Sequence, residues 1–233
     1  MTRLNRAEGF AQIDALTRGV RLPVKAMRPE HLRILAAGIR EAWQQVKATQ
    51  PVWSVTSAEA SLNLFMESEL NRLRRTNPVW RTFVSQVTRS SESASFDGTL
   101  IEKRPDLALH LSDGGRPFPV VVECKLIDAA GDKTVGLYCR QGIDRFVKGD
   151  YAWAVTESFM LAYVRDGSDL DQCLFAFLSS ADAGRQSYGL VATPDRDSSG
   201  SGVSVHSRAF KYPTKAAPED DPGPISLWHL WLE

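Results

Sequence analysis

The apolar positions in the first third of the chain repeat with the period of an α-helix. This spacing predicts one helix over residues 29–48, with Pro29 in its first turn, and a second over residues 57–75. The segment Thr56-Ser-Ala-Glu59 has the form of a capping box at the start of the second helix, and Asn77-Pro78 is expected to end it. The inward face of the second helix is carried by Leu62, Met66, Leu70 and Leu73.

Beyond residue 80 the pattern changes to the short β-branched and leucine-rich runs that are typical of strands. Residues 83–89, 106–111 and 118–126 predict a three-stranded antiparallel meander, because turn-forming residues separate the runs. A helix over 132–147, a buried strand over 159–164, a helix from Ser168 and late or edge strands over 203–210 and 225–232 are expected to follow. The polar stretches 195–202 and 215–224 predict surface loops. The order indicates an α/β or α+β domain in which helices flank a mixed β-sheet.

The composition narrows the class of protein. The 233 residues are 43% apolar and 24% charged, which is enough to build a globular core without metal or disulfide bonds. The apolar runs are far shorter than the roughly 20 residues that span a bilayer, so no membrane association is expected. Three cysteines without metal-ligand spacing and no secretory signal favour a reducing, cytoplasmic location. The four histidines also lack the paired spacing of a zinc site.

The chain has no net charge, but its two halves differ. Residues 1–105 carry 16 basic and 10 acidic side chains, whereas residues 106–233 carry 12 and 18. Such a locally basic region would suit a polyanionic partner, although scattered, solvated surface arginines explain it equally well. The arginines concerned are Arg72, Arg74, Arg75, Arg81 and Arg89.

The most informative segment contains Pro105-Asp106 and, after a predicted turn, Glu123-Cys124-Lys125. Because side chains alternate along a strand, Glu123 and Lys125 are expected on one face and Cys124 on the other. Charged groups are costly to bury without partners, so a compensating group is expected. A cation held by Asp106, Glu123 and the Cys124 backbone carbonyl would provide it, since Mg²⁺ prefers oxygen ligands, with Mn²⁺ as a substitute. Lys125, with its pKa lowered by that cation, would orient or deprotonate an attacking water.

Pro105-Asp106 followed by Glu123-Cys124-Lys125, with a helix before the hairpin and another after it, resembles the PD-(D/E)xK nuclease superfamily. The resemblance covers about residues 57–165, and the segment 138–152 looks like small members associated with bacterial restriction and phage defence. It implies a restriction-endonuclease-like mixed sheet flanked by helices over residues 56–233, with an N-terminal helical extension over residues 1–55 packed on it. It also implies a Mg²⁺-dependent endodeoxyribonuclease.

In that superfamily the helix before the motif often donates an acidic residue, and the helix after it often points a Gln, Lys or Arg toward the site. The resemblance therefore implies Glu59, Glu67 or Glu69 as a further acid. We favour Glu59 because it lies on the inward stripe, although it could instead belong to the helix cap. Gln141 and Arg145 lie one turn apart on the following helix and face either the site or solvent.

The leading hypothesis is a nuclease that hydrolyses phosphodiester bonds in DNA during bacterial defence or DNA processing. RNA stays open as a substrate, because no motif reads a base or a 2′-hydroxyl. The alternative is a catalytically silent module of the same fold that binds nucleic acid or docks partner proteins in a larger complex. Partner proteins from the same operon and a homodimer are further expectations. The expected catalytic residues are Asp106, Glu123, Lys125, Glu59 and Gln141, and the expected nucleic-acid contacts are Arg72, Arg74, Arg75 and Arg145.

Overall fold

Seven strands form one sheet in the computed structural model of the chain, which describes residues 6–89, 94–98, 104–112, 116–180, 186–212 and 221–233. The strands are β1 (Val84–Arg89), β2 (Leu107–Leu111), β3 (Val120–Ile127), β4 (Glu157–Val164), β5 (Asp195–Arg196), β6 (Gly202–His206) and β7 (Ile225–Leu232). Their order in the sheet is β1-β2-β3-β4-β7-β6-β5.

The sheet is mixed, as the sequence predicted. The three strands β1, β2 and β3 pair antiparallel in the predicted meander, β3, β4 and β7 run parallel, and β6 and β5 return antiparallel. Residues 225–232 were predicted as a late or edge strand, and they form the last described strand in chain order. This strand, β7, is not at an edge, because it pairs with β4 on one side and β6 on the other. Its nearly continuous burial is the pattern of a strand covered on both faces.

The described residues also form nine α-helices. They are α1 (Arg6–Leu16), α2 (Pro29–Thr49), α3 (Pro51–Thr56), α4 (Glu59–Thr76), α5 (Pro78–Phe83), α6 (Val135–Tyr138), α7 (Asp144–Lys148), α8 (Ala176–Ser179) and α9 (Gln186–Tyr188). A π-helical turn over Cys139–Ile143 joins α6 to α7, and another over Leu170–Phe175 leads into α8.

The two long helices α2 and α4 confirm the periodicity of the first third of the chain. The predicted capping box was wrong: Thr56 ends α3, and the N-cap of α4 is Ala58, which makes no side-chain cap. The side chain of Glu59 instead accepts a hydrogen bond from the Leu126 amide of β3. Asn77 ends α4 as expected, and its side chain also accepts a hydrogen bond from the Trp80 amide at the start of α5.

The predicted loops have a mixed outcome. Residues 195–202 were predicted as a loop, but Asp195–Arg196 form the short edge strand β5. Two residues pairing at a sheet edge leave no hydrophobic pattern for sequence reasoning to find. Most of the stretch 215–224 lies outside the described residues.

Helices cover both faces of the sheet, so the coarse fold prediction is confirmed. On one face α2 and α4 pack with apolar side chains of the strands, among them Leu35, Leu62, Val122, Leu161 and Leu230. On the other face α6, α7 and α8 pack against the sheet, with Val121, Tyr138, Phe146, Met160 and Leu178 in that core. The expected domain boundary at residue 55 stays a prediction. Among the described residues, no helix has the length and apolar character to cross a membrane.

Candidate functional site

The candidate site lies where β2 and β3 separate. The two strands pair from Leu109↔Val120 to Leu107↔Val122, and beyond this point side-chain carboxylates meet the edge of β3. Asp106 Oδ2 accepts a hydrogen bond from the Cys124 amide at 2.8 Å, and Glu59 Oε2 accepts one from the Leu126 amide at 3.0 Å. The strand edge therefore holds both carboxylates in place, because each satisfies a backbone N–H that has lost its strand partner.

The ammonium of Lys125 lies where the acidic side chains converge. Its Nζ is 2.7 Å from Glu123 Oε1, 3.4 Å from Glu59 Oε1 and 3.6 Å from Asp106 Oδ2. It also donates to the Cys124 carbonyl at 2.6 Å. The structure thus brings together the three motif residues and the favoured helix acid, and it places Glu123 and Lys125 on one face, as alternation predicted.

The pKa of Lys125 is raised, not lowered. Burial disfavours the ammonium, but the charges of Glu123, Asp106 and Glu59 outweigh burial and favour the protonated form. The sequence-based expectation of a lowered pKa assumed a neighbouring cation. Three carboxylates around the amine have the opposite effect.

Glu123 is the most enclosed member of the site, with no exposed surface. Its Oε1 accepts from Arg145 Nη1 at 2.9 Å, and its Oε2 accepts from the Tyr151 hydroxyl. Burial, helped by the charge of Asp106, raises the pKa of Glu123 to about 7, while Lys125 and Arg145 oppose that rise. The carboxylate is thus held from several sides.

A close approach of the helical segment to the sheet brings Arg145 and Tyr151 to Glu123. Gly142, in the π-helical turn, lies so near the sheet that a Cβ there would be 2.3 Å from Met160 Cε and 3.7 Å from Glu123 Cγ. Gly149, at φ 73°, then ends α7 in the left-handed conformation. The chain turns back after it, and Tyr151 reaches the carboxylate.

Asp106 is positioned by a second pair of residues. Asn63 Nδ2 donates to Asp106 Oδ1 at 3.0 Å, and the Tyr163 hydroxyl donates to Asn63 Oδ1 at 2.9 Å. Sequence reasoning missed Asn63, Tyr151 and Tyr163. Asn63 could have been noticed as a polar residue four positions after Glu59 on the inward stripe of α4, but nothing near the tyrosines in the sequence indicated their partners.

The donor chemistry of the cluster suits a hard divalent ion. Carboxylate oxygens of Asp106 and Glu123 and the Cys124 carbonyl all point to the Lys125 ammonium, and oxygen donors are those that Mg²⁺ prefers. One side is open, since the side chains of Asp106 and Glu59 are 23% and 33% exposed. In the part of the chain that the structure describes, no group of three His, Cys, Asp or Glu side chains is placed to hold a metal ion. The oxygen donors are of the type that such an ion prefers, and the Lys125 ammonium occupies the point on which they converge.

The other predicted acids and Gln141 lie elsewhere. Glu67 accepts from the Arg89 amide, and Glu69 pairs with Arg72. Gln141 and Arg145 were each left open between the site and solvent: Arg145 contacts Glu123, whereas Gln141 is exposed and no contact among the described residues joins it to the cluster. The π-helical turn over Cys139–Ile143 explains this, because it inserts a residue and changes the phase of the helix.

The predicted nucleic-acid arginines are divided among three places. Arg145 belongs to the carboxylate site, and Arg72 is paired with Glu69 at 2.5 Å. Arg74 and Arg75 lie at the far end of α4 and line a polar groove together with Arg81.

A second buried polar cluster connects β6, β7, α6 and α9. His206 Nδ1 lies 2.8 Å from the Tyr188 carbonyl, Ser204 Oγ lies 2.6 Å from His206 Nε2 and 2.7 Å from His229 Nε2, and Tyr138 Oη lies 2.8 Å from His229 Nδ1. A carbonyl only accepts, so His206 donates at Nδ1, Ser204 donates to His206, His229 donates to Ser204 and Tyr138 donates to His229. We call this the histidine chain. All its members are neutral, and each donor in the chain has an acceptor.

Comparison with protein-family models, with curated proteins and with solved structures finds no match for this chain.

Proposed function

We propose that the chain is a metal-dependent nuclease of the restriction-endonuclease-like fold that hydrolyses phosphodiester bonds in DNA. The observation that carries this proposal is the convergence of Glu123, Glu59 and Asp106 on the Lys125 ammonium at an open strand fork. A mixed sheet with helices on both faces is compatible with that fold.

A bound divalent ion would supply electrostatic stabilisation of the phosphoryl group and a more acidic water. The residues of the chain have complementary tasks. Asp106 and Glu123 present carboxyl oxygens in fixed positions, because Asn63 and the Cys124 amide hold the first and Arg145 and Tyr151 hold the second. Lys125 orients the attacking water or neutralises charge that develops on the phosphate oxygens.

Cleavage of supercoiled plasmid tests the proposal. Wild-type protein with Mg²⁺ or Mn²⁺ is expected to nick or linearise the plasmid, and Lys125→Ala is expected to lower the rate by about 10²–10³-fold. Lys148→Ala is the matched control, because Lys148 is exposed and pairs only with Asp144 among the described carboxylates. Equal inactivity of wild type and Lys125→Ala on DNA and RNA with either metal would remove the catalytic assignment.

A catalytically silent module that binds nucleic acid or docks partner proteins is the second candidate. The observation that favours it is the enclosure of Glu123, whose oxygens already accept from Lys125, Arg145 and Tyr151. Titration calorimetry with Mg²⁺ or Mn²⁺ distinguishes the two. Binding that is lost in both Asp106→Asn and Glu123→Gln supports the nuclease, whereas no binding by wild type supports the module.

The biological setting stays a prediction. A role in bacterial defence, partner proteins from the same operon, a homodimer and a cytoplasmic location all rest on the sequence resemblance and composition.

A further inference from the structure

Cations gather at the edge of the sheet formed by β1, around the short helix α5. Two of them, Arg74 and Arg75, come from the last turn of α4, and Arg81 comes from α5. Together with Asn71, Ser85 and Gln86 they line a polar groove of about 700 Å³.

A second groove, of about 390 Å³, borders the same helix at Thr82 and Phe83. Lys25 and Arg28, which precede α2, lie along it. Six lysines and arginines line the two grooves, and one of them, Arg116, is paired with Glu157. We call the other five the basic strip: Lys25, Arg28, Arg74, Arg75 and Arg81.

The basic strip differs from the other surface cations in its pairing. No ion pair joins any of its members to a carboxylate among the described residues, whereas Arg33, Arg72 and Arg196 each pair with an aspartate or glutamate. All members except Arg74 are exposed. Arg74 uses its Nε to donate to the Val84 carbonyl and is partly buried. The strip thus presents guanidinium donors that are free to bind phosphate in the bidentate manner.

The position of the strip relative to the carboxylate site follows from α4. Glu59 at the start of this helix belongs to the site, and Arg75 in its last turn belongs to the strip. At 1.5 Å per residue, the helix separates them by about 24 Å. This equals the rise of about seven base pairs at 3.4 Å each.

We propose that the basic strip binds backbone phosphates of a DNA duplex about seven base pairs from the bond at the carboxylate site. The position of the cleaved bond rests on the proposed nuclease function, but the binding itself does not. A duplex fits better than a single strand, because single-strand binding relies on aromatic stacking. The described residues that line the arginine groove include no aromatic side chain, and Phe83 in the second groove is partly buried and packs edge-on against His31.

Binding in EDTA tests the strip without any cleavage. The variant Arg75→Gln/Arg81→Gln removes two exposed guanidiniums, and circular dichroism checks that the fold is kept. For a duplex of about 24 base pairs, its Kd is expected to rise about tenfold, and the slope of log Kd against log salt is expected to fall by about two units. Arg196→Gln, at the opposite edge of the sheet, is the control and should bind as wild type does.

Cleavage of end-labelled duplexes in Mg²⁺ tests the spacing. For wild type, duplexes whose arm is shorter than about seven base pairs are expected to show a KM about tenfold higher, since a shorter arm does not reach the strip. Arg75→Gln/Arg81→Gln should lose this dependence on arm length and show the higher KM with every duplex, with unchanged kcat, because the strip binds ground state and transition state alike.

The two proposals fail in different ways. If the double variant loses binding while wild type never cleaves, the assignment of the basic strip as a DNA-binding surface is supported and the nuclease assignment is wrong. If wild type cleaves and the double variant binds duplex DNA with the wild-type Kd and salt slope, the strip is wrong. Tighter wild-type binding of double-stranded RNA than of DNA would overturn the assignment of DNA as the ligand.

Discussion

The carboxylate site and the histidine chain are two buried polar clusters that share one helical segment. Tyr138 from α6 joins the histidine chain, and Arg145 from α7 joins the carboxylate site, with the π-helical turn between them. In both clusters burial disfavours charge: it raises the pKa of Glu123 to about 7 and lowers those of His206 and His229 to about 4 and about 3.

The clusters differ in how they offset the free-energy cost of burying polar and charged groups. In the histidine chain every member is neutral and every donor has an acceptor, so nothing remains for a ligand to complete. In the carboxylate site Lys125 and Arg145 keep the cluster ionic, and two of its acids reach solvent. Charge combined with access to solvent therefore distinguishes the candidate site from the histidine chain.

The largest expected effect comes from removing the shared cation. Lys125→Met leaves Glu123, Glu59 and Asp106 without it, so we expect the free energy of unfolding in EDTA to fall by about 3–5 kcal/mol, and we expect cleavage to be lost. Urea unfolding at pH 8 measures the first effect. Lys148→Met should change stability by no more than about 0.5 kcal/mol. Unchanged stability would mean that the ammonium does not balance the carboxylates.

Breaking the histidine chain should affect stability alone. Ser204→Ala leaves Nε2 of His206 and Nε2 of His229 without partners, and we expect a loss of about 2–4 kcal/mol with the wild-type cleavage rate. Urea unfolding and the plasmid assay check the two halves of this prediction. A lowered rate in folded protein would give the histidine chain a part in function, so that it would no longer differ from the carboxylate site in this respect.

The histidine chain should also make stability depend on pH. The folded-state pKa values of His206 and His229 are lowered from 6.5 to about 4 and about 3. Between these values and 6.5, both histidines bind protons in the unfolded state but not in the folded state. Stability is expected to fall as pH drops below about 6.5, by up to about 1.4 kcal/mol per pH unit for each histidine, and the loss should end below the folded-state values. Urea midpoints from pH 8 to pH 5 test this. Replacing both histidines with Gln should remove this fall and leave the opposite dependence from Glu123, whose raised pKa favours the folded state as pH drops below about 7.

The smallest effect concerns the support of Asp106. Tyr163→Phe removes the hydroxyl that donates to Asn63, so we expect a loss of about 1 kcal/mol in stability and a severalfold lower kcat with KM unchanged. Tyr212→Phe is the control, because Tyr212 donates to the Trp153 carbonyl, away from the site. Equal kcat values in the two variants would show that Asn63 does not position Asp106.

Sequence reasoning found the part of the site that depends on neighbouring residues. Alternation placed Glu123 and Lys125 together, and the helical stripe singled out Glu59 from Glu67 and Glu69. It left open whether Gln141 and Arg145 face the site, since a π-helical turn has no clear sequence signature and changes which residues share a face. It also missed Tyr151 and Tyr163, which are 28 residues from Glu123 and 100 residues from Asn63, respectively.

The sequence by itself determined the two long helices, the antiparallel meander and the acid–lysine motif, because periodicity and alternation are properties of neighbouring residues. Only the tertiary structure decided that β7 is central, that Arg145 and Tyr151 enclose Glu123, and that three carboxylates surround one ammonium. These features depend on burial and on contacts between distant residues, and burial sets both the cost of a charge and the partners that offset it.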